Sequence, residues 1–333
     1  MRKNLEIGII GLMVFSGCNR IGISEVVNPT VSRGSQDVVG EMDEQEKSLL
    51  ETLPEEYQRL AIPYLREQSF PGTEIQIERM VSENNAYTSY LAWYESEGLK
   101  IYGLLTKPKS AMPEGGYPGV VFIHGYIPPL EYRTEERYVA YVDSLAEAGL
   151  VVFKIDLRGH GNSEGEPNGA YYSSDYIYDA LNARESLKRL SYVDSEKIGL
   201  WGHSMAGNVV LRSMAVRPEI PAGVIWSGAV YTYTDMREYQ IQDSSYEPGQ
   251  NPNRGKRDEL YKAVGEVSGD NEFWSMVAPS NFVGDLQGKV EIHHAINDPV
   301  VSIRYSRNLK QIMSQAGTRY ELFEYSLGGH DIE

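Results

Sequence analysis

Gly202-His203-Ser204-Met205-Ala206-Gly207 follows a short apolar run, Ile198-Gly199-Leu200-Trp201, and precedes an apolar helical run from Asn208 to Val216. The pattern predicts a strand, a sharp turn and a helix, with Ser204 at the apex. A serine so placed sits in a strained backbone conformation with its hydroxyl pushed into the open. The strand and helix backbones pass close together there, so the positions two residues away on each side must be small. Gly202 and Ala206 meet that need. Glycine is the usual residue at both places, so Ala206 is a departure, and Gly207 follows it.

Two further residues extend the pattern. Asp298 lies in His294-Ala295-Ile296-Asn297-Asp298-Pro299-Val300-Val301, after the apolar run Val290 to His294. His330 lies in Gly328-Gly329-His330, after the alternating run Tyr320 to Tyr325. The chain order Ser, Asp, His is the α/β-hydrolase order. Each residue falls in a loop at the carboxyl end of a predicted strand, where open parallel sheets gather their active sites. His124-Gly125-Tyr126 follows a fourth apolar run, Val120 to Ile123. In this architecture that loop supplies an amide to the oxyanion hole, so Met205 and Tyr126 are the expected oxyanion donors. Ser204 would attack a carbonyl, His330 would take and return its proton, and Asp298 would orient the imidazole.

The remaining histidines read differently. His203 neighbours the nucleophile and is expected to support the turn. His160 lies in the glycine-rich loop Asp156 to Gly161 and reads as structural. His293 and His294 are consecutive on a strand, so they face opposite sides and cannot chelate one metal together. No metal-ligand spacing occurs and acyl transfer by a triad needs no cofactor, so neither a metal nor a cofactor is expected.

Of 333 residues, 41% are hydrophobic, and the formal net charge is -16. That charge argues against a nucleic-acid partner and against adsorption to anionic lipid by charge alone. No apolar run is long enough to span a bilayer. Cys18 is the single cysteine, so no intrachain disulfide can form. Arg2 and Lys3 precede the apolar stretch Ile7 to Phe15, and Ser16-Gly17 stand directly before Cys18. This resembles a bacterial lipobox, in which the cysteine is acylated and becomes the first mature residue. Phe15 stands where leucine is usual, and Glu6 intrudes on the apolar region. The expectation is an extracytoplasmic lipoprotein, attached to a membrane only through that lipid anchor.

The domain reading is a signal segment at 1–18, a tether and N-terminal helical segment at 19–73, and a catalytic domain at 74–333. One or two helices, broken near Pro54 and Pro63, are expected between Glu41 and Gln68. Ile75 to Met80, Tyr87 to Glu95 and Leu99 to Thr106 read as an antiparallel meander at the sheet edge. Apolar strands then alternate with amphipathic helices at Thr134 to Ala148, Asp175 to Leu190 and Ser302 to Ala316. The fold expected is α/β, a mostly parallel doubly wound sheet covered on both faces. Residues 231–285 break the rhythm, with one plausible helix at Arg257 to Val267, and read as an insertion capping the substrate cleft.

From about Tyr90 onward the chain resembles the catalytic domain of the prolyl oligopeptidase family of serine hydrolases. The carrying residues are Tyr94 to Leu105, Gly119 to Gly125, Asp156-Leu157-Arg158-Gly159-His160-Gly161-Asn162-Ser163, the Gly202 to Gly207 turn, Asp298 and His330. The region upstream is too short for the β-propeller of full-length members. The oxyanion loop reads His-Gly-Tyr-Ile-Pro-Pro in place of a glycine-richer form. The resemblance implies a serine-type peptidase acting on small peptides or amides. A carboxylesterase of the same fold, acting on small acyl esters, is the alternative. A surface binding protein on a dead hydrolase fold is a remote third, which the intact Ser204, Asp298 and His330 argue against.

Overall fold

The computed structural model describes residues 42–242 and 253–331. Cys18 and the segment around it lie outside the described residues. Three short helices open the described chain: α1 (Glu44–Glu51), α2 (Glu55–Gln58) and α3 (Ile62–Glu67). Asp43 caps α1 by accepting from the amides of Gln45 and Glu46, and Glu46 returns a bond to the Asp43 amide. Pro54 caps α2 and Pro63 sits in the first turn of α3. Proline lacks an amide hydrogen and is pre-shaped for a helix start, so these prolines open the second and third of three helices where one or two, broken near Pro54 and Pro63, were expected.

A nine-stranded sheet follows. Its strands are β1 (Gln76–Glu83), β2 (Tyr87–Ser96), β3 (Leu99–Pro108), β4 (Tyr117–Ile123), β5 (Val151–Ile155), β6 (Val193–His203), β7 (Ala222–Trp226), β8 (Lys289–Ala295) and β9 (Tyr320–Tyr325). The spatial order is β1-β2-β3-β5-β4-β6-β7-β8-β9. The first three strands form an antiparallel meander that joins β5, and every pairing from β5 to β9 is parallel. The central strands are buried on both faces. Along β4, Val121 and Ile123 enter one core, while Val120 and Phe122 enter the other.

The crossover helices are α4 (Val139–Glu147), α5 (Asp175–Leu187), α6 (Ala206–Val216) and α10 (Arg304–Ala316). Between β7 and β8 lie α7 (Asp235–Tyr239), α8 (Asn253–Val264), α9 (Glu272–Val277) and a 3-10 helix (Pro279–Asp285). The expected start of α4 at Thr134 is corrected to Val139. Tyr138 is not on its apolar face but precedes it as a left-handed cap, φ 60°.

The N-terminal helices are part of the main core. Leu50, Leu60, Ala61, Ile62 and Leu65 are buried in it. Arg66 donates to the Ala215 carbonyl, and the buried Arg212 of α6 donates to that of Leu60. Their carbonyls and guanidinium groups thus tie the segment before β1 to the helix that begins at the nucleophile turn.

Candidate active site

β6 ends at His203 and α6 begins at Ala206, so Ser204 and Met205 alone make the turn. Ser204 has φ 55°, a left-handed conformation uncommon for a residue with a side chain. Its amide donates to the Trp226 carbonyl at 2.8 Å, and its carbonyl accepts from Gly207 at 2.9 Å. The strain is held from both sides by β7 and α6. The size restriction at the flanks is visible directly. A Cβ on Gly202 would lie 2.6 Å from the Ala206 carbonyl oxygen. One on Gly207 would lie 2.8 Å from the Cα of Gly228. Ala206 is fully buried in this turn.

Asp298 follows β8 and His330 follows β9, adjacent parallel strands whose carboxyl ends lie side by side. His330 Nδ1 and Asp298 Oδ2 are hydrogen-bonded at 2.8 Å. The Asp298 carboxylate is enclosed. Its Oδ1 accepts from the amides of Val300 at 2.8 Å and Val301 at 2.9 Å. Its Oδ2 lies 3.3 Å from His294 Nε2, and its side chain has no exposed surface. Burial by itself would raise this carboxyl. Hydrogen bonds from His294 and His330, the His330 charge and the Val301 amide outweigh it and hold the group well below the ordinary carboxylate range. Asp298 therefore stays ionised opposite the imidazole. Gly329 donates its amide to Asn297 Oδ1 at 3.0 Å, a second tie between the two loops.

The His330 loop also rests against the nucleophile turn. The rings of His203 and His330 are 4.6 Å apart, and His203 Nε2 lies 3.1 Å from the His330 carbonyl oxygen. His203 immediately precedes Ser204, so the base and nucleophile segments meet here. The Asp331 carbonyl accepts from Trp226 Nε1 at 3.2 Å and from the Tyr141 hydroxyl. Met205 is the cap that precedes α6, at a helix N-terminus, where amides can face an anion. His124-Gly125-Tyr126 leaves β4, which is paired with β6, so this loop emerges beside Ser204.

Other histidines take the places foreseen for them. His160 is buried and packs edge-on against His124 and Tyr132. His293 stacks on Trp226 and Phe323. His294 faces the other side and was missed as an Asp298 neighbour. Its Nδ1 pairs with Ser306 Oγ at 2.6 Å and its Nε2 with the Val301 carbonyl at 2.9 Å. The i, i+4 spacing of His294 and Asp298 was legible, but only the turn after β8 folds that spacing back on itself. Tyr138 was missed as well, because it was read as a helix residue.

The segment between β7 and β8 is tied to α6 near its start: Asn208 donates to the Val230 carbonyl. Tyr172, Tyr233, Met236, Arg257 and Tyr261 line a cavity of about 490 Å³ formed by this segment and the loop before α5. The Tyr233 hydroxyl donates to the Tyr171 carbonyl at 2.6 Å and also lies against Asn208, one helical turn beyond Ser204.

Comparison with known proteins agrees with this fold. The family described as Serine aminopeptidase, S33 matches residues 118–244. An uncharacterized peptidase of Bacillus subtilis, YtmA, is 25% identical over 77% of this chain and 91% of its own length. A probable dipeptidyl-aminopeptidase B of Phaeosphaeria nodorum is 26% identical over 57% of this chain, but the match spans only 22% of that protein. Acetyl xylan esterase 1 of a Thermoanaerobacterium species superposes with a TM-score of 0.58 at 17% identity, over 88% of this chain and 95% of its own. The shared fold, the strained serine turn and the peptidase relatives together make this chain a serine hydrolase of the α/β-hydrolase superfamily, similar to the prolyl oligopeptidase family.

Proposed function

We propose that the chain is a serine-type peptidase acting on small peptides or amides through a Ser204–His330–Asp298 triad and an acyl-enzyme. The observation that carries the catalytic part is the Asp298–His330 pair, set against a serine turn at φ 55°. With Nδ1–H given to Asp298, the lone pair of His330 Nε2 is the proton acceptor. Ser204 Oγ bonds to the substrate carbonyl carbon as its proton passes to Nε2. The carbonyl π electrons move to oxygen, and the amides of Met205 and Tyr126 receive that oxyanion. Collapse breaks the bond to the leaving nitrogen, which takes the proton from Nε2. Water then repeats the cycle, releases the acid and restores Ser204.

The amide reading is supported by the relative YtmA, whose length the match nearly spans. A cavity of about 490 Å³ lies in the segment between β7 and β8, the region expected from the sequence to cap the substrate cleft. A carboxylesterase is the second reading, favoured by the superposition on an acetyl xylan esterase over 95% of that chain.

The test is a panel of aminoacyl amides, short peptides and p-nitrophenyl esters assayed with wild type and Ser204→Ala. Peptide or amide turnover that falls at least about 10³-fold in the variant supports the proposal. Ester turnover without amide turnover replaces the peptidase reading with the esterase. A Ser204→Ala protein that keeps a tenth of wild-type activity removes the triad.

A further inference from the structure

Tyr138 stands where three parts of the site meet. Its hydroxyl accepts from the Gly125 amide at 3.0 Å and lies 2.7 Å from His203 Nδ1. His203 Nε2 in turn lies 3.1 Å from the carbonyl oxygen of His330. The proton positions in this chain follow from what each atom can do. A carbonyl only accepts, so His203 must carry its hydrogen on Nε2 and donate it to His330. His203 is buried and beside His330, and both effects push its pKa down, to about 4. The ring is therefore neutral at ordinary pH, and Nδ1 is left as an acceptor. The Tyr138 hydroxyl must then donate to Nδ1, and its oxygen is free to accept from Gly125. One directed series results: Gly125 N–H to Tyr138 O, Tyr138 O–H to His203 Nδ1, His203 Nε2–H to the His330 carbonyl.

Two independent features bear on the same point. Tyr138 has φ 60°, a conformation that bulky residues adopt only where surrounding structure imposes it. Gly125 has no room for a side chain: a Cβ there would lie 2.8 Å from the Tyr138 hydroxyl and 3.0 Å from His203 Nδ1. The loop carrying Tyr126 is thus drawn onto the Tyr138–His203 pair by backbone contact.

We infer that Tyr138 and His203 are positioning residues that couple the oxyanion loop to the general-base loop through this hydrogen-bond series. The inference rests on the triad proposed above. Neither side chain is itself a member of the triad. Tyr138 sets the depth of the Gly125-Tyr126 backbone, and His203 sets the height of the His330 backbone, each relative to Ser204. A displacement of about 1 Å at a reacting group costs on the order of 10²-fold in rate. The loss belongs in kcat, because the oxyanion donors and the base act on the transition state.

The experiment is a double-mutant cycle with Tyr138→Phe and His203→Gln. The glutamine amide can reproduce the Nε2 donor to His330 while losing the acceptor for Tyr138. The cycle is read as kcat and KM, with Ser204→Ala as the inactive reference and circular dichroism as the check on folding. Each single variant should lose about 10- to 100-fold in kcat with KM within about threefold of wild type. The double variant should be within about threefold of the worse single, since either change breaks the same series. Phenylboronate inhibition should weaken in parallel with kcat, because the boronate adduct occupies the oxyanion position. Additive losses, losses confined to KM, or a Tyr138→Phe enzyme with wild-type kcat overturn the inference. Should Tyr138→Phe fail to fold, His203→Gln alone decides it by the same division between kcat and KM. An active Ser204→Ala protein would instead overturn the underlying triad and leave the signature of that separate failure.

Discussion

Replacing Asp298 with asparagine changes one oxygen to an amide nitrogen, and the surroundings determine which one. Oδ1 accepts the amides of Val300 and Val301, so the asparagine oxygen must stay there. The new NH2 group then occupies the Oδ2 position, facing His330 Nδ1 at 2.8 Å and His294 Nε2 at 3.3 Å. A donor opposite Nδ1 turns that nitrogen into an acceptor and forces the His330 hydrogen onto Nε2. The ring then cannot take the Ser204 proton. Turnover should fall on the order of 10³–10⁴-fold, which is about 4–5.5 kcal/mol of lost transition-state stabilisation. The fold should survive, because both backbone bonds to Oδ1 persist. Loss of the charge-assisted bonds should cost about 1–3 kcal/mol of stability. The assay is kcat/KM on the best substrate from pH 6 to 8, paired with thermal melting. A folded Asp298→Asn enzyme within tenfold of wild type would show that another carboxylate orients His330.

Stability should fall in mild acid because of His203. Its pKa is about 4 in the fold, against about 6.5 for an unfolded histidine. Between those values the unfolded chain binds a proton that the folded chain refuses, so stability drops as pH is lowered through the window, by up to about 3 kcal/mol. Above pH 7 the contribution is flat. His203→Gln should flatten the slope between pH 6.5 and 4.5 in urea titrations, and equal slopes in the two proteins would refute this account. The Asp298 contribution has the same sign in a lower window: its depressed carboxyl gives stability that is complete above about pH 4 and is lost as pH falls further. At the other end of the chain we propose that Cys18 is acylated. Expression of the 333-residue chain in a bacterial host should give protein that fractionates with membranes and carries lipid on Cys18 as its first residue. Mass spectrometry finding an unmodified Cys18 still preceded by Met1–Gly17 would remove that proposal.

The sequence by itself located the strand–serine–helix turn, the loops carrying Asp298 and His330, the antiparallel edge and the parallel run of strands. These are local signals. Each strand carries its own apolar pattern, each loop its own glycine or proline, and chain order alone assigns the three polar residues to strand ends. The α4 start was misplaced because Thr134 to Tyr138 has helical composition. Those residues are used elsewhere: Thr134 bonds the buried Asp156, and Tyr138 turns left-handed to reach Gly125 and His203. Tertiary contact overrides propensity at such positions, since a buried polar group without a partner costs more than a few unformed helical bonds. The same reason hid the docking of the N-terminal helices, which were expected between Glu41 and Gln68 but not as part of the main core. Arg66 and Arg212 find their acceptors across the core, on Ala215 and Leu60, at separations in sequence of about 150 residues. What only the tertiary structure decided is therefore how the site is held, by His294 on Asp298, Asn297 on Gly329, and Tyr138 between Gly125 and His203. Hydrogen bonds between distant segments follow from where the strand order β1-β2-β3-β5-β4-β6-β7-β8-β9 brings strand ends together, and that order is set by the packing of the whole sheet and not by any one segment.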